Sequence, residues 1–286
     1  MAPPLMAKRS MRRDTVVINT LAYAALLTLL VVFLFPLLWA VGLSFKTRLQ
    51  TFSHPPLFLW VPTLQNYVAV LHGADFGGAF VNSVVTSAGA VALSLCVGVP
   101  AAYAFARFPV RGRSFLFFSL LVMRMLPPIA VLVPMFVLFN KLGLTNTRLS
   151  VVLAYSTFSL PLVTWVMRGF FEDLPRELEE SAWVDGASRY QAFRMVVMPL
   201  VKPGLVAATI LSLLLAWNDF LFAAVLTNNA TRTLPVLMAG FSGGDTGIDW
   251  GPMTASGVLV VLPVILFAFA AQRHLVAGLS SGAVKG

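Results

Sequence analysis

Long stretches of this chain carry no charge at all, and nothing constrains its fold more. Thr15 to Phe45 is uncharged, as is Phe76 to Ala106. Ser114 to Asn140 is interrupted only by Arg124, and Leu149 to Met167 by nothing. Pro203 to Thr231 carries only Asp219, and Trp250 to Gln272 is again free of charge. Each run reaches the length of about 20 residues that an α-helix needs to cross a bilayer. Continuous apolar runs lack the alternation of a barrel strand, and backbone polar groups in hydrocarbon must be satisfied internally. The expected fold is therefore all-α, a polytopic bundle of six transmembrane helices. The spans centre on 17–43, 80–105, 115–139, 149–168, 205–227 and 254–274.

Composition agrees. Charged residues make up 11% of the 286, against roughly 25% in a soluble domain, and 58% are hydrophobic. Mean hydropathy is +0.86. Lipid must replace water as the solvent for most of the surface. The first run is too long for a signal peptide and ends without a small-residue cleavage site, so it reads as a retained anchor. Cys96 is the single cysteine, which excludes an intramolecular disulfide and a cysteine-based metal site. Its apolar neighbours Leu95 and Val97 suggest buried filler.

Lysine and arginine set the orientation. Lys8, Arg9, Arg12, Arg13, Arg107, Arg111, Arg113, Arg168, Arg176, Arg189, Arg194, Lys202, Arg273 and Lys285 fall in one set of loops and termini. Only Lys46, Arg48, Lys141, Arg148 and Arg232 fall in the other. Fourteen against five places both termini in the cytoplasm. The net charge of +9 is this bias, and it requires no nucleic-acid partner. The expected layout is a cytoplasmic segment 1–16, a six-helix transmembrane domain 17–275 and a cytoplasmic tail 276–286.

The polar residues concentrate between spans four and five, in a cytoplasmic loop over 172–204. Pro175 suits a first helical turn, and Glu177, Glu179 and Glu180 follow it near the positive end of the helix dipole. Gly186 is placed to stop that helix. Ser188 and Gln191 make a capping-box pattern for a second helix running to Pro199. Leu178, Ala182 and Trp183 share one side of the first helix, and Tyr190, Phe193 and Val197 one side of the second. The pattern is a helix–glycine–helix elbow. Periodicity leaves open whether its apolar stripe packs under its own bundle or meets a partner.

Glu180-Ser181-Ala182, Asp185-Gly186, nine residues, Val196, one residue and Met198-Pro199 follow without a gap. This resembles the cytoplasmic loop of binding-protein-dependent ABC importer permeases, whose pattern is Glu-Ala-Ala, three residues, Gly, nine residues, Ile, one residue, Leu-Pro. Ser181, Val196 and Met198 are modest departures. NSVVTSAGAVALSLCVGVPAAYAFAR at 82–107, AWNDFLFA at 216–223 and QRHLVAGLSSGAVKG at 272–286 are similar to the carbohydrate subgroup of that family. The resemblance implies the type I importer fold and a second homologous permease. It also implies two ATPase subunits, which hold ATP and Mg, and an extracytoplasmic substrate-binding protein that delivers a sugar. It assigns Glu180, Ser181, Ala182, Asp185, Gly186 and Pro199 to ATPase coupling, with Trp183 or Phe193 filling a pocket on the partner. Gly243 and Gly244, in the glycine-rich loop Asn228 to Asp249, would meet the binding protein. Glycine content alone predicts a flexible connector there equally.

No cofactor is expected in the chain itself. It contains no Gly-x-x-x-x-Gly-Lys-[Ser/Thr], no His-Glu-x-x-His and no Gly-x-Ser-x-Gly. His54, His72 and His274 are scattered. An intramembrane enzyme is the rival class, and a secondary transporter using Asp219 and Arg124 for protons or sodium is the rival mechanism. A polyol or glycerol phosphate is the rival cargo.

Polar groups inside spans face the bundle interior and mark pathways. Arg124 lies about ten residues into span three, roughly 15 Å deep at 1.5 Å per residue. Asn218 and Asp219 lie two-thirds of the way across span five. Each lines a substrate path, clamps helices together or contacts the partner permease. Pro127-Pro128 and Pro134 are expected to break span three around a cavity. Tyr155, Ser156, Thr157 and Ser159 offer hydroxyls suited to sugar, with Tyr155 and Ser159 the preferred contacts, although hydroxyls also bond their own helix.

Overall fold

The structure, a computed structural model, describes residues 5–73, 75–242 and 248–283. Among these residues the regular structure is entirely helical. We number the principal helices α1 Leu5–Ser44, α2 Gln65–Gly73, α3 Phe76–Arg107, α4 Arg113–Met125, α5 Pro128–Lys141 and α6 Arg148–Asp173. There follow α7 Glu177–Val184, α8 Arg189–Leu200, α9 Lys202–Trp217, α10 Leu221–Leu226, α11 Leu234–Ala239 and α12 Trp250–Ala283.

Four helices are long and apolar enough to cross a membrane unaided: α1 over Ile18–Ser44, α3, α6 and α12 over Trp250–Phe269. Of the remaining two, span three is bent, with α4 and α5 meeting at 97°, and span five is preceded by a 73° bend between α8 and α9. The helices themselves run beyond the apolar spans at both ends: α1 already begins at Leu5, and α12 continues to Ala283.

The break in span three has a local cause. Leu126 (φ −64°, ψ 134°) and Pro127 (φ −57°, ψ 129°) are both non-helical. A residue before proline is pushed out of the α region, and here two such residues follow one another. Pro128 then restarts the helix at a position where its missing N–H costs nothing. Pro134, by contrast, lies within α5 without breaking it.

Span five is shorter than expected. α9 stops at Trp217, Asn218 caps it, and the chain turns before α10. The expected continuous helix over 205–227 is thus interrupted at Asn218–Phe220. The second loop helix is also not a uniform α-helix, because Phe193–Val197 forms a π-helical turn inside α8. Such turns occur mostly as single insertions inside α-helices, frequently at functional sites.

The centre of the bundle is the pairing of α3 with α6. Ala90, Val151, Ala154 and Tyr155 belong to one buried cluster. Val99, Ala102, Ala106, Val163, Met167 and Phe171 belong to the next. Gly98 permits the close approach: a Cβ there would lie 3.0 Å from Val163 Cγ1 and 3.1 Å from Thr164 Oγ1. A third cluster gathers Val70, Phe76, Trp217, Leu234, Leu237 and Ala255 around α11. Part of the expected flexible connector is therefore packed helix, fixed further by Leu234 N donating to Ser83 Oγ at 2.8 Å. Cys96 is exposed, which corrects its reading as buried filler. Along one helix only one face meets the bundle, and Cys96 lies off that face while Leu95 packs against the core.

Candidate functional site

Two regions carry the polar chemistry: the elbow of α7 and α8, and a cavity beside the break in span five. In the elbow, Arg176 caps α7, so Pro175 stands just outside the helix rather than in its first turn. Glu177, Glu179 and Glu180 occupy that turn. The helix ends as expected at Gly186, with φ +88°, a conformation that glycine adopts without strain. Ala187 N donates to Ala182 O at 2.9 Å and Gly186 N to Trp183 O at 3.1 Å, the paired bonds of a Schellman terminus. α8 then opens with the expected capping box. Gln191 N donates to Ser188 Oγ at 3.3 Å, and Ser188 N to Gln191 Oε1 at 2.7 Å.

The face presented inward differs from the expected stripe. Leu178 is exposed and Tyr190 is 68% exposed. The fully buried residue of α7 is Glu179. Its Oε1 accepts from Arg107 Nε at 2.6 Å and its Oε2 from Tyr103 Oη at 2.5 Å. Arg107 also donates to the Leu174 carbonyl at 2.8 Å. The Tyr103 ring lies 4.6 Å from Phe193 and 5.4 Å from Phe171, centre to centre. Phe193 is thus committed to the bundle and not free to enter a partner. Trp183 is half-buried, with the Arg189 guanidinium 5.0 Å above its ring. The most exposed large apolar groups of the elbow are Val184, Tyr190 and Met195. Glu180, Ser181, Asp185 and Pro199 are exposed, and Ala182 is half-buried.

Sequence reasoning placed Glu179 among the charged flanks and missed its role. The available signal was weak: Arg107 closes span two, and a cation at a helix C-terminus favours a carboxylate from a neighbouring helix N-terminus. A buried pair of this kind adds little net stability, but removing one partner strands a charge at a cost of about 3–5 kcal/mol.

The cavity has a volume of about 190 Å³ and is lined by Arg124, Tyr155, Phe158, Ser159, Asp219 and Phe222, among others. Four of the five expected path residues therefore converge. The Tyr155 hydroxyl donates to the Asp219 carbonyl at 3.2 Å. Asp219 Oδ1 accepts from Phe222 N at 3.0 Å, capping α10. Arg124 sits on the last turn of α4, beside the break, rather than in the middle of a continuous helix. Asn218 does not join them: it is exposed, and its amide donates back to Leu214 O at 2.8 Å. Ser156 and Thr157 donate to Val152 O and Leu153 O within their own helix. Among the described residues no group of three or more His, Cys, Asp or Glu is placed to hold a metal. Gly243 and Gly244 lie outside the described residues.

A bundle with two broken spans, a cavity at the breaks whose mostly apolar wall carries a few polar groups, and a helix–glycine–helix elbow at one end defines a membrane transport component. Residues 94–281 match the family model described as "Binding-protein-dependent transport system inner membrane component", and the chain belongs to that family. It is 38% identical to the trehalose transport system permease protein SugB of Mycobacterium tuberculosis, over 92% of this chain and 97% of the relative. It is 32% identical to the trehalose/maltose transport system permease protein MalG of Thermococcus litoralis, over 96% and 99%. In fold it matches a chain of a bacterial ABC transporter involved in import of the acidic polysaccharide alginate. That match has a TM-score of 0.78 at 24% identity, covering 92% of this chain and 98% of that one. The protein is a multi-pass membrane permease of the ABC importer class.

Proposed function

We propose that this chain is one of two homologous permease subunits of an ATP-driven carbohydrate importer in a bacterial or archaeal cytoplasmic membrane. Both termini and the α7–α8 elbow face the cytoplasm, in keeping with the Lys and Arg distribution. Two ATPase subunits hold ATP and Mg, and the chain itself carries no cofactor and no catalytic site. An extracytoplasmic binding protein delivers the sugar, with Gly243 and Gly244 in the loop that meets it. The relatives named for trehalose and maltose transport support the substrate class.

One observation carries the reading. The elbow with the importer-type spacing is a rigid two-helix unit, closed by Gly186 at φ +88° and tied to the bundle through a buried carboxylate. A solvated connector needs neither feature. Glu180, Ser181, Ala182, Asp185, Gly186 and Pro199 form the surface that docks on an ATPase subunit, where exposed Val184, Tyr190 and Met195 add apolar contact. Closure of the ATPase pair then moves the elbow as a body.

Toward the other end, Arg124, Tyr155, Ser159 and Asp219 offer donors and acceptors beside the rings of Phe158 and Phe222. Hydroxyls of a sugar match the polar groups, and its C–H face matches the rings. Exposed Asn218, next to Asp219 in the chain, extends this wall once the path is complete. The cavity is one side of a path that the second permease completes. With its carboxylate already capping α10, Asp219 is better suited to shaping a wall than to carrying an ion.

The test is nucleotide binding. The purified chain alone binds no ATP, whereas its complex with the ATPase subunits hydrolyses it and does so faster with sugar-loaded binding protein. Nucleotide binding by the isolated chain counts against the reading.

A further inference from the structure

Glu179 is the only charged residue of the elbow that is fully buried among the described residues, at 2% exposure. Both carboxylate oxygens are engaged, one by Arg107 and one by Tyr103, and both partners lie on the last two turns of α3. The location is electrostatically favourable twice over. Glu179 stands in the first turn of α7, where the dipole favours an anion, and Arg107 in the last turn of α3, where it favours a cation. The rings of Phe108, Phe171 and Phe193 pack around Tyr103, with centres 5.9, 5.4 and 4.6 Å from its own. Arg107 donates to the Leu174 carbonyl and Arg176 to the Ala106 carbonyl, so each segment also bonds the backbone of the other.

A well-packed apolar pair would hold these helices together equally well, because buried ion pairs are weak sources of net stability. What the charged pair adds is direction. It allows α7 to neither slide nor roll on α3 without stranding a charge. From α3 the linkage continues through a close interface. Ala102 and Val99 pack with Val163 and Met167 of α6, and Gly98 brings the two helices within a methyl's width. The other half of α6 presents Tyr155 and Ser159 to the cavity. From Phe171 to Tyr155 the helix extends about 24 Å at 1.5 Å per residue.

We infer that Glu179, held by Arg107 and Tyr103, is the positioning residue that transmits movement of the elbow through α3 and α6 to the cavity wall. This rests on the elbow being the ATPase-docking surface. It is a different role from that of Glu180, which faces outward and touches the partner.

The test uses the full complex of both permeases and the ATPase subunits, in a Cys96→Ser background with Ser159→Cys as reporter. Labelling of the reporter by a small methanethiosulfonate reagent is compared with and without ATP, alongside ATP hydrolysis. In the otherwise unchanged complex, ATP alters the labelling rate at least threefold. Glu179→Gln, which keeps the shape but loses the charge, removes that change while ATP hydrolysis persists. Arg107→Met with Glu179→Met, which packs without charge, does the same. Exchanging the charges, Arg107→Glu with Glu179→Arg, restores at least part of it.

An ATP-dependent change that survives in Glu179→Gln or in the double methionine variant overturns the inference. Tyr103→Phe covers the case in which those variants do not assemble. It removes one hydroxyl from an intact aromatic cluster, and unchanged ATP-dependent labelling in it then marks the cluster as a folding clamp only. Glu180→Lys separates this inference from the reading beneath it. If Glu180→Lys abolishes the change and Glu179→Gln does not, the transmission role alone fails. If Glu180→Lys also leaves the change intact, the docking surface has been misassigned.

Discussion

Tyr155 and Asp219 meet across the cavity with their polar ends divided between two tasks. The tyrosine hydroxyl donates to the aspartate's backbone carbonyl at 3.2 Å, while the aspartate's carboxylate turns to cap Phe222 N at 3.0 Å. The break in span five is thereby held open from both sides. The backbone that leaves the helix at Asn218 finds a partner on α6, and the helix that restarts at Leu221 finds its cap.

Asp219 is the first place to test the path. Asp219→Asn keeps a capping side chain, and the complex should assemble with a modest fall in transport. Asp219→Leu loses the cap, worth about 1 kcal/mol, and removes the polar wall. Its assembled complex should transport at least tenfold more slowly in a proteoliposome uptake assay. Normal uptake by Asp219→Leu removes the cavity from the path. Loss of assembly identifies a structural clamp and leaves Tyr155 and Ser159 as the better substrate contacts.

Asn82 is a buried hydrogen-bonding hub elsewhere in the bundle. Its amide donates to the carbonyls of Ala230 and Arg232 at 3.0 and 2.9 Å, and its Oδ1 accepts from Arg148 Nε at 2.8 Å. Asn82→Ala leaves these groups short of a partner inside the protein, at about 1–3 kcal/mol for each group that stays unsatisfied. The melting temperature of the detergent-purified protein should fall by several degrees. Asn82→Ala combined with Arg148→Ala should cost less than the two changes summed. A melting temperature within a degree of the unchanged protein contradicts this.

Gly98 tests the α3–α6 interface. A Cβ would press on Val163 and Thr164 at 3.0 and 3.1 Å, so Gly98→Val overfills the contact by about 1–3 kcal/mol. Thermal unfolding should show a lower midpoint for Gly98→Val than for Gly98→Ala. Equal midpoints would mean the helices part easily there, and the rigid pairing of α3 with α6 would be wrong.

Much of this architecture is legible in the chain because charge-free length is a property of the sequence alone. The elbow is equally local: Gly186 must take a positive φ, and Ser188 and Gln191 cap each other across three residues. What local reasoning missed depends on distant partners. Nothing near Glu179 says that it, rather than Glu177 or Glu180, turns inward. Arg107, 72 residues away, decides that. Asn218 and Asp219 read as polar residues within a helix, when they are the end of one helix and the cap of the next. Pro127-Pro128 announced an interruption but not its 97° angle. Pro134, of the same residue type, interrupts nothing.

The measurement closest to the central claim is sugar uptake into proteoliposomes holding both permeases and the ATPase subunits. Binding protein is supplied outside, ATP inside, and trehalose and maltose are offered among a panel of sugars. The account predicts ATP-dependent accumulation of at least one sugar. In Glu180→Lys and Gly186→Val that accumulation falls at least tenfold, while assembled complex is still recovered. Accumulation driven by a proton or sodium gradient without ATP, or normal ATP-driven uptake in both variants, would contradict it.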